Sequence, residues 1–449
     1  MATVVSMPIG LPTPLTGVHP IMTFSAAVGL AGALLLGGAG PAQATHAPDG
    51  AQSYSDPFAS YPAPGQPIVT PRVDESENAE HTTVEKAPGD VRIATLRAGL
   101  TGESTEAVVD ALRGGANSSA RVVAETAHLN DPDVLVLTGI THDEDGVIAD
   151  MFNTRYLAPA GLDYPYVYTA PTNSGIDSGA DLDGDGRIGG PGDALGYGEY
   201  PGQHGMAVFS AHPIVEDEVR TFQNFLWKDL PGNALPDGDY SDLEKSVLRL
   251  SGTSLWDIPV EIEDTEETLH VIANAQPPED LARSFDADRT TDERRMIADY
   301  VSTDPSDGWY IYDDSGQTGG LTPGSSFIIS GEPGDAAETD GAADEGPDQT
   351  SDELLLDSAA LQDPLPEAIT ELSLSSRSNS EEGTDEHATR AVHGDADRRT
   401  SFILPDAAAE VTDAGVFWPG EGEYGFHLID PEEGAALSDR LVWVDLSTS

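Results

Sequence analysis

The stretch "DLDGDGRIGG" (residues 181–190) alternates three aspartates with other residues and then turns at glycine. Asp181, Asp183 and Asp185 take positions 1, 3 and 5 of a calcium-loop spelling, with Gly186 at position 6 and the Arg187 backbone carbonyl available at position 7. Carboxylate and carbonyl oxygens in this order suit a hard cation such as Ca²⁺. The bidentate acid expected at position 12 is missing: Gly192 stands there, and Asp193 follows one residue later. Pro, Gly and Ser flank the loop, which sets it apart from a helix–loop–helix EF-hand. The pattern is open to two readings, a structural Ca²⁺ clip on a long surface insertion and a solvated Asp/Gly turn.

The elements around this loop read as an α/β chain. "VRIATL" (91–96) and "DVLVLTGI" (133–140) are strand-like, the second a continuous apolar run of buried-strand type. Between them "STEAVVDALRG" and "SSARVVAETAHLN" have helical spacing, with Ala120, Val123 and Ala127 on one face. Further strands are expected over residues 205–214, 269–275, 325–331, 400–405 and 440–446, with a helix over 290–301. Residues 45–90 read as a linker, leaving a domain over 91–449. Two acidic, aromatic-poor stretches at about 332–353 and 371–398 read as low-complexity insertions, with a short docked helix expected in "LLLDSAALQDPLPEAI".

Composition narrows the partners. The 449 residues carry 79 Asp and Glu against 21 Lys and Arg, a formal net charge of −58, and no cysteine. Disulfides and thiolate metal sites are excluded. Such a surface repels nucleic acid and anionic membranes and gathers cations, whether the acidity reflects adaptation to salt or a function of the surface. Residues 24–44 form an apolar, small-residue run ending in Ala42-Gln43-Ala44, the form of a secretory signal with its cleavage site. It has no basic residue before it, and its length also fits an N-terminal membrane anchor. No integral membrane segment is expected beyond it, and the chain is expected to be secreted or held at the cell surface.

Taken in order, these strands resemble the endonuclease/exonuclease/phosphatase superfamily, of which DNase I is the best-known member. The resemblance is densest over "DYPYVYTAPTNSGIDSGADLDGDGRIGGPGDALGYGEYPGQHGMAVFSAHPI" and "VRTFQNFLWKDLPG", and is closest to a secreted bacterial branch described as phytase-like. It implies a DNase I-like four-layer α/β sandwich with two central mixed sheets and long acidic loop insertions. It also implies phosphoester hydrolysis with a divalent metal, commonly Mg²⁺, using carboxylates, Asn and His at strand ends.

Those strand ends are altered in this chain. Arg97 stands where the family has the Asn ending its first strand, and Thr138-Gly139 where it has Asn-Glu. Asn274 and Ala275 replace the catalytic Ser and His of S-H-P. Glu332 and Gly334 replace the Asp and Asn of G-D-x-N, and Ser401 replaces a later Asp. Ser438 and Asp439 fall on the final Asp and His. Gly139 and Ala275 offer neither ligand nor proton, so the resemblance points to a degenerate member kept for binding or structure.

Three other readings stay open. Glu332, Asp335 and Asp143 form a weak alternative site that, if activity survives, would hold Mg²⁺ or Mn²⁺. Arg97 is read as an exposed cation, as the partner of Glu332, or as an anion ligand. A calcium-stabilised surface or adhesion module is the third. A phosphorylated small molecule is the expected partner class, and nucleic acid is disfavoured.

Overall fold

The computed structural model describes residues 84–236, 240–262, 265, 267–276, 286–332, 355–356, 358–368, 387–390, 398–430 and 436–448. The N-terminal apolar run, most of the linker, most of the two acidic insertions, Gly334 and Asp335 lie outside the described residues. The elements begin with β1 (Asp90–Leu100), α1 (Thr105–Arg113), α2 (Ser118–Asn130) and β2 (Val134–Ile140). There follow α3 (Val147–Phe152), α4 (Ala158–Ala160), β3 (Tyr166–Tyr168), β4 (Gly205–Ser210) and β5 (Arg220–Thr221). Next are α5 (Asp242–Val247), β6 (Leu255–Glu261), β7 (Thr268–Asn274), α6 (Asp286–Tyr300) and β8 (Ser326–Gly331). The last are β9 (Glu367–Ala368), β10 (Phe402–Pro405), β11 (Val411–Val416) and β12 (Val442–Ser447).

Two mixed sheets organise these elements. One runs β3-β4-β2-β1-β12-β11-β9 and the other β10-β8-β7-β6-β5. The pairs β1/β2, β7/β8 and β9/β11 are parallel, and the other strand pairs are antiparallel. The inner faces meet in one core, where Leu96, Val136, Val271, Ala273, Ile328 and Ile403 pack together. Outside the first sheet, α2 lays Ala120, Val123 and Ala127 fully buried against that core. Outside the second, Met296, Ile297 and Tyr300 of α6 pack with Ile272, Ile329 and Leu404. Helix, sheet, sheet and helix give the expected DNase I-like α/β layering. No described helix is long and apolar enough to cross a membrane.

Local chemistry fixes the helix ends. The Ser104 Oγ accepts the Ala107 N–H and the Asn117 Oδ1 accepts the Ala120 N–H, so α1 and α2 each start on a side-chain cap. The folded part begins before residue 91. Lys86 pairs with Asp133 at 2.7 Å, and the carbonyls of Val84 and Glu85 accept from the Arg92 guanidinium. The described part of helix α6 begins at Asp286 rather than 290; in its first turn Asp286 and Arg289 are buried and paired at 2.7 Å, and the Asp292 carboxylate of the next turn accepts from the Trp227 indole and the Ala234 N–H.

Two expectations need correction. The docked helix does not extend over 358–368; Pro364 and Pro366 interrupt it, and the segment ends in β9. It is docked nonetheless, with Leu355, Ala360 and Leu361 buried. The sequence reading also passed over β6, where Pro259 argues against a strand. The Pro259 carbonyl accepts the Val215 N–H, so the side of the residue that lacks an N–H faces residues 213–215 and not β7.

The buried pair Arg92–Asp445 ties β1 to β12. Nε and Nη2 of the guanidinium each lie 2.6 Å from a carboxylate oxygen, and its Cζ lies 4.2 Å from the centre of the Trp443 ring. Removing one partner of such a pair typically costs about 3–5 kcal/mol, while replacing both with apolar groups costs far less. Arg92→Met is therefore expected to lose about that much stability in urea unfolding, and Arg92→Met/Asp445→Leu to recover most of it. Equal losses in the two variants would count against this account.

Candidate functional site

The long connection between β3 and β4 carries the aspartate loop. Its base is fastened to the body: Asn173 donates to the carbonyls of Gln223 and Ser251, and Arg289 of α6 donates to the Leu195 carbonyl at 2.9 Å. Within it, carboxylate oxygens of Asp181, Asp183 and Asp193 lie within 4.8 Å of one another. Among the described residues this is the one group of three or more acidic or histidine side chains close enough to hold a cation. Asp193 is buried, with Oδ1 accepting from the N–H groups of Leu182 and Asp183 and Oδ2 from that of Gly189. The Asp181 Oδ1 is enclosed and accepts no hydrogen bond from the protein.

The thirteenth residue thus supplies the acid that the twelfth lacks. A Cβ on Gly192 would lie 2.1 Å from the Asp183 Oδ2, so glycine there makes room for the carboxylate beside it. Asp185 and Arg187 do not join the group. Both are exposed, and the Asp185 Oδ1 accepts the Arg187 N–H in a local turn.

The second candidate lies where the two sheets meet, at the ends of β1, β2 and β8. Arg97 of β1 crosses from the first sheet to the second, its Nη1 2.5 Å from the Glu332 Oε2. The Thr138 hydroxyl donates to the other oxygen, Glu332 Oε1, at 2.6 Å. Both carboxylate oxygens are therefore occupied. Burial pushes the Glu332 carboxyl above its ordinary range, Arg97 pulls it back, and Asp439 pushes it up again. Gly139 has φ +63°, and a Cβ there would sit 3.4 Å from the Arg97 Cγ. The position that resembles the family's metal-binding Glu is thus the floor over which Arg97 lies.

The other matched positions are structural in their surroundings. Ala275 is buried in the core between the sheets, and Asn274 Nδ2 donates to the Glu332 carbonyl at 3.3 Å. The Ser401 N–H donates to the Thr389 hydroxyl. The Ser438 hydroxyl donates to the Asp439 Oδ2 at 2.7 Å. Asp143 is not drawn toward Glu332. Its two oxygens accept the N–H groups of Val147 and Ile148 and cap α3.

Two residues of this cleft were absent from the sequence reading. The Gln276 carbonyl receives the Arg97 Nη2 at 3.4 Å, while its side chain bonds Glu293 and Thr290 of α6. Arg390 bridges to Asp439, its Nε 3.9 Å from the Asp439 Oδ1. Gln276 follows Ala275 directly and could have been found by extending the motif. Arg390 lies in a low-complexity stretch and carries no sequence signal.

A model of the Endonuclease/Exonuclease/phosphatase family matches residues 111–363. Members of that family typically depend on a divalent metal. Among solved structures, an endonuclease/exonuclease/phosphatase from Beutenbergia cavernae is 16% identical, with 80% of this chain and 71% of that one covered at a TM-score of 0.43. The human Nocturnin catalytic domain is 10% identical, with 83% and 99% covered at 0.43. A mannosyl-6-phosphatase from Bacteroides thetaiotaomicron is 10% identical, with 79% and 99% covered at 0.40. No curated protein matches.

The Gly192 contact gives a direct test of the loop. Gly192→Ala forces the exposed Asp183 carboxylate aside. Calorimetric titration with divalent cations should then show affinity weakened at least about tenfold. Unchanged affinity would remove this loop as the cation site.

Proposed function

The chain belongs to the endonuclease/exonuclease/phosphatase family, and from that premise we propose that it is a catalytically degenerate member kept for binding or structure. Membership supports a phosphoesterase-type protein, and one observation supports the narrower reading: Arg97 holds the carboxylate that a metal would need. The family's chemistry uses hard oxygen ligands to carry a divalent ion and a proton carrier to activate water. Here Glu332 is bound on both oxygens, Gly139 and Ala275 have nothing to donate, and Asp143 is a helix cap. Mg²⁺ or Mn²⁺ at Glu332 would have to displace a guanidinium and leave it buried without its partner, at a cost of several kcal/mol. The residues of the cleft do not fit that ion.

The aspartate loop does fit a cation, and we read it as a Ca²⁺ site. Ca²⁺ accepts six to eight oxygens in flexible geometry, which suits a loop whose last carboxylate comes one residue late, while Mg²⁺ demands a near-ideal octahedron. The enclosed Asp181 Oδ1 is the oxygen such an ion would satisfy. The ion would be structural, neutralising three carboxylates and fastening the connection between β3 and β4. The ligand class we favour for the cleft is a small phosphorylated molecule, since a net charge of −58 repels nucleic acid. The apolar run ending at Ala44 supports export.

Three experiments test these readings. Phosphomonoesters and phosphodiesters assayed with Mg²⁺, Mn²⁺ or Ca²⁺ should show no turnover above buffer. Ca²⁺ at a hundred times its Kd should stabilise the protein by about 2.7 kcal/mol in thermal unfolding. Metal-dependent turnover that Glu332→Ala abolishes would overturn the degenerate reading. N-terminal sequencing of exported protein should begin at Thr45; recovery of the intact N-terminus would favour an anchor.

A further inference from the structure

Four of the five tryptophans are buried: Trp227, Trp256, Trp418 and Trp443 are each at most 5% exposed, whereas Trp309 is 71% exposed. Single exposed apolar residues are ordinary, and Leu243 on α5 is one. Trp309 differs because it ends a row of rings. Its ring centroid lies 6.1 Å from that of Tyr310, which lies 6.2 Å from that of Phe225, and Phe225 lies 4.7 Å from Tyr312. The turn that carries the indole is fixed. Ile311 is fully buried, its N–H donates to the Gly308 carbonyl, and its carbonyl accepts the Gly319 N–H at 2.9 Å. Gly308 lies so close to the neighbouring strand of chain that a Cβ on it would be 2.8 Å from the Gly320 nitrogen. The Asp304 Oδ1 accepts the Ser306 N–H and hydroxyl, and the Asp304 carbonyl accepts the Asp307 N–H. An aromatic side chain presented on such a turn loses little freedom when a partner covers it. The setting is acidic. Asp304 and Asp307 precede Trp309 in the same turn, and the Tyr310 hydroxyl donates to the Asp299 Oδ2 of α6 at 2.6 Å. The Ser302 hydroxyl donates to the Asp307 Oδ2, also at 2.6 Å. Burial pushes the Asp299 carboxyl up, Tyr310 pulls it down, and the Asp307 charge pushes it up again. Arg295 acts on Asp299 along α6, but it is engaged with Asp292 at 3.2 Å and with the Pro231 and Gly232 carbonyls.

We propose that Trp309 anchors a docking surface for a basic segment of a partner protein, with an arginine stacked on the indole and its charge met by Asp299 and Asp307. The face of an indole attracts a guanidinium through the ring quadrupole, and arginine is the cation most often found there. Two crowded carboxylates accept hydrogen bonds and donate none, so they suit a donor-only cation better than a neutral sugar, whose hydroxyls also need donors. Tryptophan and arginine are also the residues that most often dominate the energetics of an interface. This surface shares no residue with the cleft or with the aspartate loop, and the inference depends on neither reading.

The test is titration of the full chain with a hexa-arginine peptide, followed by calorimetry and tryptophan emission at about 0.15 M salt, where distant charges are screened. Trp309 is the exposed indole, so a change in emission on binding reports that residue. The peptide should bind with Kd below about 100 µM and change the emission. Trp309→Leu keeps an apolar group without a π face and should weaken binding about fivefold, with part of the loss recovered in Trp309→Phe. Asp307→Asn should weaken it about twofold to fivefold. Asp217→Asn, at an exposed acid before β5, should change Kd less than about twofold. Hexa-glycine and maltohexaose should not bind. No binding of hexa-arginine, or wild-type affinity in Trp309→Leu, would overturn the proposal. So would equal losses in Asp307→Asn and Asp217→Asn, which would show attraction to the acidic surface as a whole. Maltohexaose binding that Trp309→Leu abolishes would overturn it in favour of a glycan.

Discussion

A guanidinium between two sheets is the constraint around which the rest of this structure is arranged. Arg97 leaves β1, passes over Gly139 at the end of β2 and meets Glu332 at the end of β8. A buried ion pair contributes little net stability, because desolvating two charges costs about what their attraction returns. Its effect is exclusion. Once Glu332 is held by Arg97 and Thr138, a cation gains nothing there without first undoing both contacts. The same pair brings Asp439, Gln276 and Arg390 into one polar cluster at the end of the sandwich. The interior below it stays apolar, with Ile93, Val136, Val271 and Ile328 fully buried.

Much of the fold was legible because its central strands are buried on both faces. The run at 133–140 could only be a core strand, and β2 is buried along its whole length. The helix "SSARVVAETAHLN" matches α2 residue for residue, since Asn117 caps it and the left-handed Asp131 ends it. Two-residue β5 and β9 were invisible because they have too few residues to show a period. Pro259 concealed β6 by a rule that applies only where the missing N–H would face a ladder.

The site was legible by type and not by geometry. Matching strand ends identified Arg97, Thr138, Gly139, Glu332 and Asp439 as a set, and the structure brings Arg97, Thr138 and Glu332 into direct contact. The pairing of Arg97 with Glu332 joins residues 235 positions apart, which no local pattern encodes. Asp143 was misread for the opposite reason. Its role is local, a cap on a helix four residues away, and proximity in sequence to β2 suggested a ligand. In the aspartate loop, counting positions pointed to Asp193, and the close approach of Gly192 to Asp183 explains why the count is displaced by one.

Gly139 also determines how hard this arrangement is to alter. An acidic side chain introduced there would start from a backbone at φ +63°, which disfavours any Cβ, and would press on Arg97. Changing Arg97 first would leave Glu332 buried beside Asp439 with its cation gone. A single substitution at either residue toward a metal-binding cleft is therefore expected to lower stability, whichever is changed first. The glycine acts as a lock: the close packing of Arg97 over it ties the identity of one residue to that of the other.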